Sequence, residues 1–326
     1  VRLALAGDTM LGRLVAERLE ADPGTELFAP GVAAVVRDAD ACVLNLECAV
    51  SDRGERWPDP HKPFFFRAPP VAVDVLVDLG VDAVTMANNH ALDYGHEALL
   101  DTIDLVAGAG IAVVGAGRDE AEARRPRVIE RAGTRIGIVG VTDHPADYAA
   151  GADHPGVAYA DLRRETPRWL LDTVTDLHAD PDVDVVLVTP HWGPNMVEAP
   201  LAHVRRAAAE LLDAGATLVA GHSAHVFHGV AERVLYDLGD FIDDYAVDPV
   251  LRNDRGLLFV VTIEGDVPVR LEAVPLALEC CHTRRADPDE SAWIGRRFHR
   301  ACAALGAQVH EHDDRLIVEF RSGAAS

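Results

Sequence analysis

Short apolar runs alternate with amphipathic stretches over the first 225 residues. The runs are 2–6 (RLALA), 41–46 (ACVLNL), 82–87 (DAVTMA), 111–114 (IAVV), 135–141 (RIGIVGV), 183–189 (VDVVLVT) and 216–220 (ATLVA). They are rich in Val, Ile and Leu and lack strict alternation, the pattern of strands buried on both faces. Between them, residues 97–107, 162–178 and 201–213 carry an apolar stripe at helical spacing. Strand–helix alternation predicts a mostly parallel sheet. After residue 225 the texture changes. Residues 226–239, 256–264 and 267–277 read as strands joined by tight turns such as Glu264-Gly265-Asp266. The predicted class is α/β, a sandwich of two mixed sheets with outer helices. Residues 287–304 predict a helix and 307–320 a hairpin. The division that follows is a main domain over 1–278 and a C-terminal helix-hairpin appendage over 279–326. Two long loops interrupt the pattern. Residues 49–70 hold Pro58, Pro60, Pro63, Pro69 and Pro70 around Phe64-Phe65-Phe66, and residues 143–160 are rich in Pro, Gly, Asp and His. Loops this long inside a compact domain are often functional.

Composition narrows the partners. The 326 residues are 49% apolar, ample for a two-sided core, and carry a formal charge of −23. Such a chain repels phosphate backbones and anionic lipid heads, so nucleic acid and membrane surfaces are not expected partners. A phosphate-bearing substrate stays open, because a bound cation reverses the local sign. The five cysteines are odd in number and include no CxxC, as in a reduced compartment; Cys42, in an apolar run, reads as a buried, inert thiol. No stretch resembles a signal peptide or reaches the roughly 20 apolar residues of a membrane span. The expectation is a cytoplasmic protein without a stable membrane anchor.

Ligands of open α/β sheets collect beyond the carboxyl ends of the strands. Five predicted strands end in polar motifs: Gly7-Asp8-Thr9-Met10, Asn45-Leu46-Glu47, Asn88-Asn89-His90, His191-Trp192-Gly193 and Gly221-His222-Ser223-Ala224-His225. Each piece has a plainer reading. An Asp after a strand also caps helices, a lone His also serves as a satisfied polar group, and two nearby His among 15 also arise by chance. Five such ends in succession are hard to attribute to independent accidents. Asp, Glu, Asn and His supply the oxygen and imidazole ligands that suit Zn, Mn or Fe, and no thiolate lies beside them. A divalent-metal site, with one or two ions per chain, is predicted.

These ordered motifs resemble the capsule-biosynthesis CapA family, also called poly-γ-glutamate synthesis proteins, which is similar to the calcineurin-like metallophosphoesterases. The resemblance covers residues 1–278 and includes Leu238-Gly239-Asp240-Phe241. It implies a calcineurin-like fold and a role for each matching residue. Asp8 would ligate a first metal, Glu47 would bridge two ions, and Asn89 and His191 would ligate the second. His222 would join the second ion and His225 the first. His90 would act as acid/base, with Asp93 orienting it; its plainer reading is a hydrogen bond at a tight turn. One departure is Met10, where the superfamily carries a histidine ligand. The His pair is also one residue wider than the usual Gly-His-x-His.

Three functions follow from the resemblance. The first is metal-dependent hydrolysis of a phosphoester or a peptide or γ-glutamyl substrate. The second is peptide epimerisation by Cα proton abstraction and return, with Asp8 and a site histidine as the two groups. The third is a non-catalytic part in capsule or polyglutamate assembly. The partner expected in the first two is a small-molecule or peptide substrate. Lys62 or Arg67, in the 49–70 loop, would meet an anionic group of that substrate; equally, the loop is a crossover packed by Phe64–Phe66. His144 either lines the cleft or is a solvated loop residue. Trp192 reads as cleft wall, the arginines near 296–300 as a solvated face, and Asp243 and Asp244 as loop polars.

Overall fold

The run at 2–6 lies in the strand Arg2–Thr9, buried along nearly all of its length. In the computed structural model, which describes residues 1–320, this strand is central to a ten-stranded mixed sheet. On one side it pairs in parallel with Ala41–Leu46, followed by Ala83–Thr85 and Ala112–Val114. On the other it pairs antiparallel with Arg255–Glu264, which continues into Val267–Glu279 and Arg315–Glu319. A second, six-stranded sheet is ordered Val230–Ala231, Val234–Leu235, Leu218–Ala220, Val185–His191, Thr134–Thr142, Arg127–Arg131.

Strand alternation sorts the side chains into layers. Leu3, Leu5 and Val43 of the first sheet share one buried cluster with Ile136, Ile138, Leu187 and Leu218 of the second. Ala4, Ala6, Cys42 and Leu44 point the other way, into a cluster with Val15, Leu19, Leu76 and Leu99 of the helices. Val139, Val141, Val186 and Val188 meet the helices Arg168–Ala179 and Ala202–Asp213 on the far side. Both faces of the central strands are thus covered, which is why they read as unbroken apolar runs. Full burial of a Val or Leu side chain contributes about 1.5–3 kcal/mol. The sheets approach closely at Gly140, where an added Cβ would meet Thr85 Oγ1 at 2.7 Å and Gly115 Cα at 3.1 Å.

The expected mixed sheets flanked by helices are present. Three short helices, Arg13–Ala21, Pro30–Arg37 and Ala72–Leu79, escape the pattern because two turns leave too few apolar positions to establish a period. The helix expected over 162–178 begins only at Arg168, after Pro167. The strand expected over 226–239 is instead two short strands, Val230–Ala231 and Val234–Leu235, after which the chain crosses to the first sheet. There Asp240–Ile242 pairs in parallel with the end of Arg2–Thr9.

Beyond residue 278, His282–Arg285 and Arg315–Glu319 both pair with Val267–Glu279. The helix Pro288–Ala304 opens with a capping box between Asp287 and Glu290. Its Ile294, Phe298 and Cys302 enter the inter-sheet core. Residues 321–326, the end of the expected appendage, lie outside the described residues. Among the described residues, no helix is long and apolar enough to cross a membrane.

Candidate metal centre

Five strand ends and one strand start converge on a buried polar cluster. Asp8 sits where Arg2–Thr9 shifts register against Ala41–Leu46, an irregularity of the kind that re-aims a side chain. Glu47 follows the neighbouring strand directly. His191 ends Val185–His191, and its backbone bridges to His222. Asp240 opens its short strand in register with Asp8. That approach requires glycine at position 7, since a Cβ there would lie 1.8 Å from the Gly239 carbonyl oxygen. The His222–His225 turn is strained, with φ of 112° at Ser223 and 58° at His225. Asp237 holds it in place, accepting from Ala224 N at 2.8 Å and Gly239 N at 2.9 Å.

Ligand atoms of Asp8, Glu47, His225 and Asp240 all lie within 4.8 Å of one another, and all four residues are buried. His225 Nδ1 is 2.8 Å from Asp240 Oδ1 and 3.3 Å from Asp8 Oδ2. His222 Nδ1 is 3.3 Å from Asp8 Oδ1. His191 joins through Asn45, whose Nδ2 donates to Asp8 Oδ1 at 2.8 Å and lies 3.5 Å from His191 Nδ1. Asn88 extends this link, donating to Asn45 Oδ1 at 2.9 Å and accepting from the His90 backbone N–H at 3.0 Å.

Electrostatics set these groups apart. Burial pushes the Asp8 carboxyl up, but the His222 and His225 imidazoles 3.3 Å away outweigh it and hold Asp8 well below the carboxylate range. Burial, reinforced by the Asp8 charge, drives Glu47 well above that range, and burial also raises Asp240. Burial drives His191 well below its ordinary value. His225 goes well above its own, because Asp240 and Glu47 overcome the burial that opposes it. Three carboxyls packed together in a dry site cost free energy unless a cation or protons compensate.

The donor atoms pass a direct test of fit to a cation. Asp8 Oδ2, both Glu47 carboxylate oxygens, Asn89 Oδ1, His191 Nε2, His222 Nδ1 and Asp240 Oδ2 are buried with no hydrogen-bond partner. Native interiors leave few such groups. So many on adjoining strand ends, all oxygen or imidazole nitrogen, match the ligand set of a first-row divalent ion. This buried cluster of Asp, Glu and His could hold a metal ion. Asp240 is the member that strand-end logic missed, because it opens a strand and does not follow one. Met10 is fully buried in the helix-side core, its Sδ accepting from Gly12 N at 3.1 Å.

His90 flanks the cluster. Its Nδ1 lies 2.6 Å from Asp93 Oδ2, and its ring stacks on Phe66 at 3.9 Å. Burial pulls His90 down to about 4 despite Asp93. Asp93 Oδ1 accepts from Tyr148 Oη at 3.1 Å and pairs with Lys62 Nζ at 3.0 Å. Lys62 also donates to the Asn89 carbonyl at 2.7 Å. Its charge is therefore engaged by a protein carboxylate, and it ties the 49–70 loop to the Asn88–His90 turn. Arg67 lies elsewhere, its guanidinium on the Tyr94 ring at 4.2 Å. His144 Nδ1 is 2.5 Å from Asp143 Oδ1, and its ring centroid is 5.2 Å from that of His191. Trp192 is buried in the core against the helix Ala202–Asp213 and donates from Nε1 to the Tyr236 carbonyl at 2.9 Å.

Residues 2–245 match the sequence model of the family described as bacterial capsule synthesis protein PGA_cap. The chain belongs to this family. A PGA_cap relative from Mycobacterium tuberculosis, named a probable polyglutamine synthesis accessory protein, is 32% identical over 85% of this chain and 76% of its own length. The PGA biosynthesis protein CapA of Bacillus subtilis is 29% identical over 74% of this chain and 63% of its own length. The capsule biosynthesis protein CapA of Bacillus anthracis is 28% identical over 98% of this chain and 77% of its own length.

Proposed function

We propose that this PGA_cap protein is a metal-dependent, hydrolase-like enzyme with a calcineurin-like sandwich fold. Its substrate is a phosphoester or a peptide or γ-glutamyl compound. The observation that carries the reading is the set of buried, unpartnered oxygen and nitrogen atoms on Asp8, Glu47, Asn89, His191, His222 and Asp240. Asp8, Glu47, His225 and Asp240 would hold one ion, and Asn89, His191 and His222 would supply donors for a second. Asp240 supplies a ligand to the half in which Met10 gives none. Mn, Zn or Fe suits these donors, and such an ion, when bound, polarises the substrate and acidifies a water at neutral pH. The chain's own part in turnover is to bind, orient and move protons. His90 serves as the acid/base group, on a ring that Asp93 orients and Phe66 supports. Lys62 pairs with Asp93 and holds the Asn89 turn in place.

One observation favours epimerisation as a second reading. Two His–carboxylate pairs accompany the site residues, His90–Asp93 in the Asn88–His90 turn and His144–Asp143 beside His191. Proton abstraction and return at a Cα from opposite faces needs two such groups. Incubation with candidate peptides in deuterium oxide decides it: label at a substrate Cα supports the epimerase, and product cleavage without label supports the hydrolase. The names of the relatives bring a third reading, a non-catalytic part in polyglutamate assembly, which absence of any turnover by a metal-loaded protein would favour.

Metal analysis tests the site itself. Asn89→Ala, His191→Ala and His222→Ala should each lower bound metal while leaving the fold intact by circular dichroism. Unchanged metal content in all three would sink the assignment.

A further inference from the structure

A cavity of about 320 Å³ opens beside the 49–70 loop, and Arg13, Arg56, Arg67, Phe65 and Tyr94 line it. Each guanidinium rests on an aromatic ring. Arg56 lies 5.1 Å from the Phe65 centroid, Arg67 4.2 Å from that of Tyr94, and Arg13 5.5 Å from that of Phe64. Stacking holds a planar cation in place and leaves its N–H edge free. Among the described residues, neither Arg56 nor Arg67 pairs with a carboxylate. Arg67 reaches only the carbonyls of Arg53 and Gly54, at 3.3 and 3.4 Å. Glu17, Glu20 and Asp52 also border the cavity, yet none of them pairs with these guanidiniums.

Arg13 is held in place with unusual constraint. Its backbone has φ of 52°, in the left-handed region that non-glycine residues adopt only when the surroundings demand it. Its Nε lies 3.2 Å from Asp244, whose side chain is wholly buried and also accepts from Leu14 N at 3.0 Å. The arginine is thus gripped by one edge, with its terminal nitrogens left over. In a chain of net charge −23, three guanidiniums on one cavity match its three carboxylates in number, and the edges of Arg56 and Arg67 stay available to an anion.

We propose that this cavity is a binding site for an oxyanion, a phosphate or a carboxylate, held by Arg56 and Arg67 and bounded by Arg13. The proposal stands on these residues and is independent of the metal reading.

Titration calorimetry of the full chain with inorganic phosphate, and separately with glutarate, tests it. At least one probe should bind the wild type. Its affinity should fall roughly tenfold in Arg56→Met and in Arg67→Met, as expected for loss of a charge-assisted hydrogen bond, with bound metal unchanged. Arg67→Lys should recover little, since an ammonium lacks the planar fork. Arg56 is exposed, so its variant keeps the test valid should Arg67→Met fold poorly. Affinity equal in the wild type and Arg56→Met would place the anion elsewhere and overturn the proposal, as would failure of both probes to bind at millimolar concentration. Where binding depends on the arginines, the tighter probe identifies the oxyanion.

Discussion

The two halves of the candidate metal cluster differ in a way that reverses their order of promise in the sequence. Asn89, His191 and His222 match their motifs well, whereas the half around Asp8 and His225 lacks the histidine that Met10 replaces. In the fold, the depleted half is the tighter one. Asp8, Glu47, His225 and Asp240 bring ligand atoms within 4.8 Å of one another, while His191 joins mainly through Asn45. The difference teaches that a histidine missing from one strand end can be matched by a carboxylate on a strand that only tertiary pairing brings alongside. Asp240 is 232 residues from Asp8 in sequence and its register partner in the sheet.

The largest expected effect breaks this comparison open. Asp240→Ala should abolish binding of the ion nearest Asp8, and His191→Ala that of the other. Each loss should exceed the roughly 10–100-fold typical of removing an outer partner of a metal ligand. Competition titration with a chromophoric chelator, run on both variants, reads the two sites separately. If Asp240→Ala leaves affinity and stoichiometry at wild-type values, Met10 truly marks an incomplete half, and the cluster binds at the His191 side alone.

What was legible follows from range. The central strands announced themselves because burial on both faces leaves long apolar runs, and Asp8, Glu47, His191, His222 and His225 followed from asking what stands after each run. The short helix Arg13–Ala21 buries only Val15, Ala16 and Leu19, too few to set a period against its charged residues. Asp240 was hidden because its strand is three residues long and its place depends on Gly7 admitting the Gly239 carbonyl. Lys62 looked free to meet an anion. Its actual partner, Asp93, lies in the turn after another strand, and no local pattern links the two.

A smaller effect sharpens the same comparison through stability. With metal removed, the tight half packs three buried carboxyls together, and burial and the Asp8 charge push Glu47 well above the carboxylate range. Glu47→Gln removes a titratable group but keeps shape and polarity. It should leave the metal-free protein as stable or up to about 2 kcal/mol more so, while weakening metal binding. Denaturant melts with and without Mn2+ give both numbers. A variant less stable than the wild type only when metal is absent would mean that Glu47 serves structure and not ligation.

The smallest effect separates the cluster from the loop that carries it. His228 lies three residues past His225 and is buried, its Nε2 2.8 Å from the Val197 carbonyl. Burial pulls it down to about 4, against about 6.5 in an unfolded chain. Below pH 6.5 the unfolded chain therefore takes up a proton that the folded one refuses, so this residue withdraws stability as pH falls from 6.5 towards 4. Linkage puts the loss at about 2 kcal/mol between pH 7 and pH 5. His228→Gln retains a donor for Val197 and does not titrate. The cluster's own histidines and carboxyls titrate in both proteins and cancel in the difference. Urea unfolding of the metal-free proteins at pH 7 and pH 5 should show the variant losing about 2 kcal/mol less than the wild type. Equal losses would assign the acid sensitivity of this region to the cluster, where the tight half concentrates its charge.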